Sequence, residues 1–540
     1  MERSSPAATG GAACQADPGG TGGPAGDART AGTGGATGTG AGAGAVQAVC
    51  SASELPGMEH AWTALGGDTG LLERVSCHLR PQLLPARLPV LELARATVAV
   101  CSLSAAELSA LRAGTASSGA AAVSRVPSVQ VDDGAVATAF TSERHLRTDG
   151  RSSVNFAPLS RFWRTADGWL RTHANYPHHR ARLLSALGVH EGHRDENALA
   201  EAVAAELAQR SAAETEEHVH AAGGLAVAAR SAKEWAEHPQ GAEAARRPLV
   251  STARVDQAPP LPLPGAFGHR PLHSVRVLDL TRVIAGPVAT RTLALLGADV
   301  LRIDAPQLPE HPDTHADTGM GKRSALLDLS TRAGQADFEE LLKKAHVVVT
   351  GYRPGVLDRF GLAPESLADR RPGIVVGQLS AWGAYGPWRR RRGFDSLVQT
   401  ASGIAFEERL PGPDDGTAPG VLPAQALDHG TGYLLAAAVL RSLTEQRRGR
   451  CGSGVVRVAL AQTADWLLNG LSPQQGPPRL APKSADAFDG TPHDPAPWLN
   501  ETRSPLGRLR YALPPVAYDG GPADWSRPPG APGTDPVAWW

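Results

Sequence analysis

Asp428 is the side chain whose setting best suits covalent chemistry. It lies in Gln425-Ala426-Leu427-Asp428-His429-Gly430-Thr431-Gly432-Tyr433, where an acid precedes two glycines and an apolar stretch that reads as a helix over 431–446. By spacing alone the segment reads first as a helix N-cap, because a short acidic side chain can accept the first free backbone N–H groups. The same placement also suits catalysis. Free N–H groups at a helix start can hold a carboxylate or a developing oxyanion. A carboxylate there can attack a thioester and have its acyl intermediate stabilised.

Other patterns point away from common chemistries. Gly319-Met320-Gly321-Lys322-Arg323-Ser324 resembles the end of a phosphate-binding loop, but the opening glycine would fall on Ala316 and the serine comes one position late. The loop Thr281-Arg282-Val283-Ile284-Ala285-Gly286-Pro287 lacks the glycines that a dinucleotide pyrophosphate needs. Gly377-Gln378-Leu379-Ser380-Ala381-Trp382-Gly383 is not a hydrolase nucleophile elbow. His173, His178, His179, His190 and His193 cluster without a cysteine or carboxylate to complete a zinc pattern, so they read as a surface or phosphate-facing group. No metal site is expected.

The elements that must position Asp428 lie mostly over 272–470. Short apolar strands are expected at 275–280, 299–304, 345–350 and 373–379, with helices at 286–296 and 330–344 between them, then a strand at 455–460 and a helix at 462–468. Strands alternating with helices predict a parallel sheet covered on both faces, hence an α/β fold of Rossmann-like type. A smaller α+β unit is expected before it over 129–250. It holds a strand–turn–strand at 162–170, and helices at 180–187, 196–208 and from 214. In the second of these Leu199, Val203 and Leu207 share one face. Residues 47–128 read as mainly helical, with 88–103 open to strand or helix. Residues 251–271, which hold Pro259-Pro260-Leu261-Pro262-Leu263-Pro264, read as a stiff linker. Residues 1–46, rich in Gly, Ala and Thr, read as disordered, and 471–540 as a Pro/Gly-rich tail.

Composition narrows the function classes. The 540 residues carry 53 basic and 54 acidic side chains, a net charge of −1, which argues against a nucleic-acid protein held by a general basic field. No apolar run approaches about 20 residues, so no membrane span is expected. The first residues lack an apolar signal core, and the five cysteines show neither metal spacing nor a disulfide framework, so a cytoplasmic location is the expectation.

Five ordered segments together resemble the family III CoA-transferases, the group that holds formyl-CoA transferase, carnitine CoA-transferase and α-methylacyl-CoA racemase. They are Val277-Leu278-Asp279-Leu280 with its loop to Pro287, Leu296-Gly297-Ala298 with the strand to Asp304, Gly321-Lys322-Arg323-Ser324, Tyr352-Arg353-Pro354-Gly355 through Leu362, and Ala426-Leu427-Asp428 with Gly430. The resemblance implies an acyl-CoA:carboxylate CoA-transferase with Asp428 as nucleophile, passing through a mixed anhydride and an aspartyl-CoA thioester. It implies that Val283, Ile284, Ala285, Lys322, Tyr352, Arg353 and Arg359 hold CoA. Acyl-CoA and a carboxylic acid are then substrates, and no cofactor is bound permanently. The racemase branch carries a histidine where this chain has Phe394, so transferase is favoured over racemase; a catalytically degenerate CoA-binding protein is the third reading. The small-domain-like segment precedes the Rossmann-like half, the reverse of the family order. Two readings follow: a fusion of two incomplete copies, the first without its catalytic aspartate region, or a rearranged single copy, of which the fusion is favoured; a homodimer or a pseudo-dimer within one chain is expected.

Overall fold

The computed structural model describes residues 48–51, 55–80, 82–114, 123–154, 156–263, 268–411, 417–471 and 494–540. The expected disordered leader at 1–46 lies outside them. In chain order, strands β1 (Ala48–Ser51) and β2 (Val75–Leu79) lead to the long helix α1 (Val90–Arg112) and strand β3 (Val129–Asp132). The next strands, β4 (Phe162–Arg164) and β5 (Trp169–Thr172), are followed by helices α2 (Pro177–Leu187), α3 (Glu196–Leu207) and α4 (Ala212–Ala221), then strand β6 (Ala226–Ala228). Strand β7 (Ser251–Arg254) precedes the alternating half: β8 (Arg276–Leu280), α5 (Ala285–Leu295), β9 (Asp299–Asp304), β10 (Arg323–Leu326), α6 (Arg332–Leu342), β11 (Val347–Thr350), α7 (Pro364–Arg370) and β12 (Val375–Ser380). Helices α8 (Asp395–Ser402) and α9 (Ala426–Arg447) and strand β13 (Gly454–Ala459) complete it.

The main sheet has the order β10-β9-β8-β11-β12-β13-β7, and every pair but the last is parallel. Val347, Val348 and Val349 are all inaccessible, as expected of a strand covered on both faces. Strand β10 escaped the sequence reading. Its Arg323-Ser324-Ala325-Leu326 has little apolar character because polar partners serve its buried positions: Arg323 pairs with Asp299, Ser324 Oγ donates to Asp304, and Ala325 bridges to Thr534 on the side away from β9.

Two expectations change, and one alternative left open is decided. Residues 251–254 are not part of a free linker; they form β7, which pairs antiparallel with β13, with Ala253 opposite Val455. The proline-rich stretch after it packs on the fold, where a Cβ on Gly373 would meet the backbones of Pro259 and Leu261. The linker and the smaller unit are thus not separable: Gln47–Trp540 is one compact unit. Residues 88–103 resolve as helix, the first part of α1. That helix is long and apolar enough to cross a membrane by length and composition, and its apolar window is wholly buried inside the fold. Glu92, Arg95 and Glu107 break its apolar run, which is why no such segment stood out in the sequence.

The α1 and α9 helices form the centre of the molecule. They run the same way, with Leu93 against Gly430 near their starts and Glu107 ion-paired with Arg441 further along. Each is followed by a strand and a short helix: β3 and Asp133–Phe140 after α1, β13 and Leu460–Asp465 after α9. The two parts of the chain thus repeat the order long helix, strand, short helix. Part of the tail is structured too: Leu499–Ser504 and Gly507–Ala512 pair as a hairpin, and Arg147–Thr148 joins its second strand.

Candidate active site

Asp428 is not an N-cap. The helix begins two residues earlier, at Ala426, with Gln425 at the cap position, so Asp428 is its third residue and its side chain is free to face a cavity. The expected free N–H groups are also spent. Asp428 N–H donates to Asp395 Oδ2 at 2.9 Å and His429 N–H donates to Gln425 O. The positive end of the α9 dipole still acts on the Asp428 carboxylate.

The surroundings of Asp428 oppose its ionisation. Burial, then the Asp395 and Glu143 carboxylates, hold its carboxyl well above the usual carboxylate range. Asp395, also buried, is pushed up to about 6, first by burial, against the opposing N–H groups of Asp428 and Leu427 and the Gln399 amide. These two acids titrate as a pair. Beside them His429 is inaccessible, lies over Phe140 with ring centres 5.3 Å apart, and places Nε2 3.4 Å from Glu143 Oε2. Burial pushes Glu143 up, but His429 and Arg144 outweigh it and leave its carboxyl below the usual range.

Asp428 opens into a cavity of about 790 Å³. Val283, Ala285, Tyr352, Arg353 and Arg359 line the same space. Ile284 does not; it packs against the core. Lys322 is also elsewhere: it is 3% exposed and bonds Asp279 Oδ2 and Pro287 O, each at 3.0 Å. Burial pushes its amine down to about 8, against the attraction of Asp279. Lys322 therefore ties β8 to the start of α5 and is no phosphate ligand in this structure.

The loop between β8 and α5 is held under strain. Val283 has φ +70°, a region that a β-branched residue rarely enters. Such strain costs about 1–3 kcal/mol and persists where neighbours enforce it. Here Glu310 is the enforcer. Its carboxylate accepts Val283 N–H at 2.9 Å and the Tyr176 hydroxyl at 2.7 Å, and it faces Arg282 and Arg302 at 3.6 and 3.4 Å. No sequence signal marked Glu310, which lies 27 residues from Val283. Glu310→Ala is expected to cost about 3 kcal/mol, because it leaves the largely buried Arg282 guanidinium without its carboxylate, while Arg302 keeps Asp304. Glu310→Gln should cost less, since it keeps an acceptor for Val283 and Tyr176. Denaturant unfolding of both variants checks the order.

A close backbone approach sets α9 against that loop. A Cβ on Gly432 would lie 2.6 Å from Ala285 O and 3.0 Å from the Val288 side chain. Gly432→Ala is expected to cost about 1–3 kcal/mol by overpacking and to displace Ala285 from the cavity wall; a lowered melting temperature with a raised KM would show both.

The histidine cluster is divided by the fold. His190 and His193 are exposed, but His173 and His179 are buried, and His178 and His179 line the cavity. The surface reading therefore fails for the first part of the cluster. His173 stacks on Phe394 with centroids 3.7 Å apart, and His179 meets the same ring edge-on at 6.0 Å. Tyr176, His178, His179 and Arg182 all belong to the early part of the chain, so the wall opposite β8 and α9 comes from a distant segment. No cluster of residues able to hold a metal occurs among the described residues.

The comparisons with known proteins agree with this two-part construction. The model of CoA-transferase family III matches residues 51–266 and again 272–493. The chain is 32% identical over 243 residues to a probable fatty acyl-CoA transferase of Mycobacterium tuberculosis, covering 41% of this chain and 60% of that protein. It is 33% identical over 210 residues to a formyl-CoA:oxalate CoA-transferase of Bradyrhizobium diazoefficiens, covering 37% and 47%. A crystal structure of a hypothetical protein from Mycobacterium tuberculosis is 33% identical, covers 37% of this chain and 58% of that one, and has a TM-score of 0.34. The matched stretches thus span about half the length of such relatives. With the family model matching both halves around a cavity that both halves line, the chain belongs to CoA-transferase family III.

Proposed function

We propose that the protein is an acyl-CoA:carboxylate CoA-transferase in which Asp428 is the nucleophile. The observation that carries this reading is the Asp428 side chain, opening into a 790 Å³ cavity beside Val283, Tyr352 and Arg353. The Asp428 carboxylate attacks the thioester carbonyl, the C–S bond breaks, and CoA leaves as thiolate from a mixed anhydride. The thiolate then attacks the aspartyl carbonyl, releasing the donor acid and leaving an aspartyl-CoA thioester. The acceptor carboxylate attacks that thioester and expels the thiolate again. The thiolate closes the cycle on the acceptor's carbonyl, regenerating Asp428. Each step exchanges one carbonyl substituent for another at one fixed group, which replaces an encounter of two weak nucleophiles by positioned chemistry. The test is chemical trapping: incubation with acyl-CoA and then hydroxylamine or borohydride should modify the peptide containing Asp428, and an unmodified peptide during turnover would sink the proposal.

The same cavity supports a pseudo-dimer within one chain, since residues between 176 and 182 and between 280 and 460 line it. A native mass of one active chain supports it; activity confined to a dimer opposes it.

A second reading, acyl-CoA racemisation, gains one observation. The structure brings the His179 imidazole to the Phe394 ring, at the place whose missing histidine had disfavoured that chemistry. Burial pushes His179 down to about 2, with the His178 and His173 rings and then Arg392 and Arg182 adding to it, so its ring is neutral at ordinary pH. Deuterium entering the acyl Cα without an acceptor acid would favour this reading.

A further inference from the structure

Two of the four described cysteines face each other across a strand ladder. Strands β1 and β2 pair antiparallel, with Cys50 directly opposite Cys77. Directly opposite residues share one face of the sheet, with Cα atoms about 4.5–5.5 Å apart. A disulfide needs Cα atoms about 4.4–6.8 Å apart, so the backbone already has the spacing such a bond requires. Both residues are thiols in this structure, and their side chains hydrogen-bond each other. The other two described cysteines are placed differently. Cys101 is buried within helix α1, and Cys451 lies between α9 and β13, outside any strand.

The two thiols differ in access. Cys77 is inaccessible and sits on the central strand of the sheet β1-β2-β3, with Val131 opposite it on the other side. Cys50 is half-buried and lies on the outer strand β1. Burial, then the neighbouring Cys50, push the Cys77 thiol up to about 12, against the charge of Arg95. Cys77 is therefore protonated at neutral pH and hidden from solvent, which leaves Cys50 as the thiol that reacts first. The segment between them touches the helix that carries Asp428. Residues 50–77 hold the helix Pro56–Ala64, whose buried Trp62 lies under the Arg441 guanidinium of α9 at 5.4 Å. They also hold Gly66, whose carbonyl accepts from Arg441 at 2.9 Å.

We propose that Cys50 and Cys77 are a modification site: a reversible cross-strand disulfide that forms when a small-molecule disulfide reaches Cys50, and that staples β1 to β2. The Cys50 sulfur, as thiolate, attacks one sulfur of the oxidant RSSR; the S–S bond breaks and one RS⁻ leaves. The Cys77 sulfur, already in contact, attacks the Cys50 sulfur of the mixed disulfide and expels the second RS⁻. The two leaving thiolates take up the two protons that the cysteines give up. Two cysteine thiols and one RSSR thus become one disulfide and two RSH. The new bond closes residues 50–77 into a ring, restricts the unfolded chain and so stabilises the fold. Spacing along the sequence hid the pair, because only the ladder brings the two positions together. This site does not depend on the transferase reading.

The test is peptide mapping of the full chain without reductant, after incubation of the folded protein with oxidised glutathione and then alkylation of the remaining thiols in denaturant. The expected product is a cross-link between the peptides of Cys50 and Cys77, with Cys101 and Cys451 alkylated. Dithiothreitol should return both cysteines to the alkylated pool. The oxidised parent should melt about 2–4 °C above the reduced one. Cys50→Ser, which changes only a half-buried position, should show no such rise; where it does not fold, Cys50→Ala replaces it. A Cys77 that is still alkylated, whether or not Cys50 carries glutathione, overturns the proposal. So does a cross-link from Cys50 to any other cysteine, or equal melting of the oxidised and reduced parent.

Discussion

Asp428→Ala and Asp428→Asn are each expected to lower CoA transfer by at least about 1,000-fold while leaving CoA affinity within a few-fold of the parent. Loss of a covalent nucleophile removes the route itself. Asparagine is the more demanding variant, because it keeps the shape and fills the same third helical position without a nucleophilic oxygen anion. It should also relieve the fold of a buried acid that sits among Asp395 and Glu143. Asp428→Asn is thus expected to be less active and at neutral pH more stable than the parent, a combination that a merely structural aspartate would not give. Steady-state kinetics paired with thermal unfolding decides it; near-parent activity in both variants would remove Asp428 from the mechanism.

The second large effect is on pH dependence. The nucleophile must be ionised, yet burial and two carboxylates hold Asp428 protonated to higher pH than an ordinary aspartate. Transfer should therefore rise with pH along an acidic limb placed above the usual carboxylate range. Asp395→Asn removes the nearest like charge and keeps an oxygen to accept the Asp428 N–H. The limb should move down by about one pH unit or more. Glu143→Gln should move it the same way by less, since Glu143 is the smaller contributor. For stability, both Asp395 and Asp428 bind protons more tightly in the folded chain than in the unfolded one. Their contribution therefore weakens as pH rises from the ordinary carboxylate range near 4 through the pair's raised range. Asp395→Asn should flatten that decline. A limb that stays in place in the Asp395 variant would show that the pair does not govern the nucleophile.

These predictions rest on features of unequal visibility. Strands β8, β9, β11, β12 and β13 were readable because strands covered on both faces need continuous apolar runs, and Val347-Val348-Val349 is such a run. The face of α3 was readable because Leu199, Val203 and Leu207 repeat at helical spacing. Strand β10 was not, since its buried Arg323 and Ser324 are satisfied by Asp299 and Asp304 rather than by apolar neighbours. Strand β7 was hidden by the prolines that follow it. Among site residues, Asp428, Tyr352, Arg353 and Arg359 carried a pattern of neighbours, whereas Lys322 shared the pattern and folded into an ion pair with Asp279.

By itself the sequence determined the chemistry on offer: an acid at a glycine-rich helix start, a sheet to carry it, and the order of segments that marks the family. Local spacing decides such things, because helices and strands repeat their faces at fixed intervals. Only the tertiary structure decided which residues meet. Two incomplete family segments share one cavity because α1 and α9 pack side by side, which brings α2 with His179 and Arg182 over the mouth of β8. Glu92 occupies in α1 the third helical position that Asp428 holds in α9, but it packs beside Gly57 and does not line that cavity. Equal helical positions thus became one carboxylate in the cavity wall and one set away from it. The reason is physical: burial, counter-charges and access belong to the surroundings that packing creates, and those surroundings come from residues hundreds of positions away.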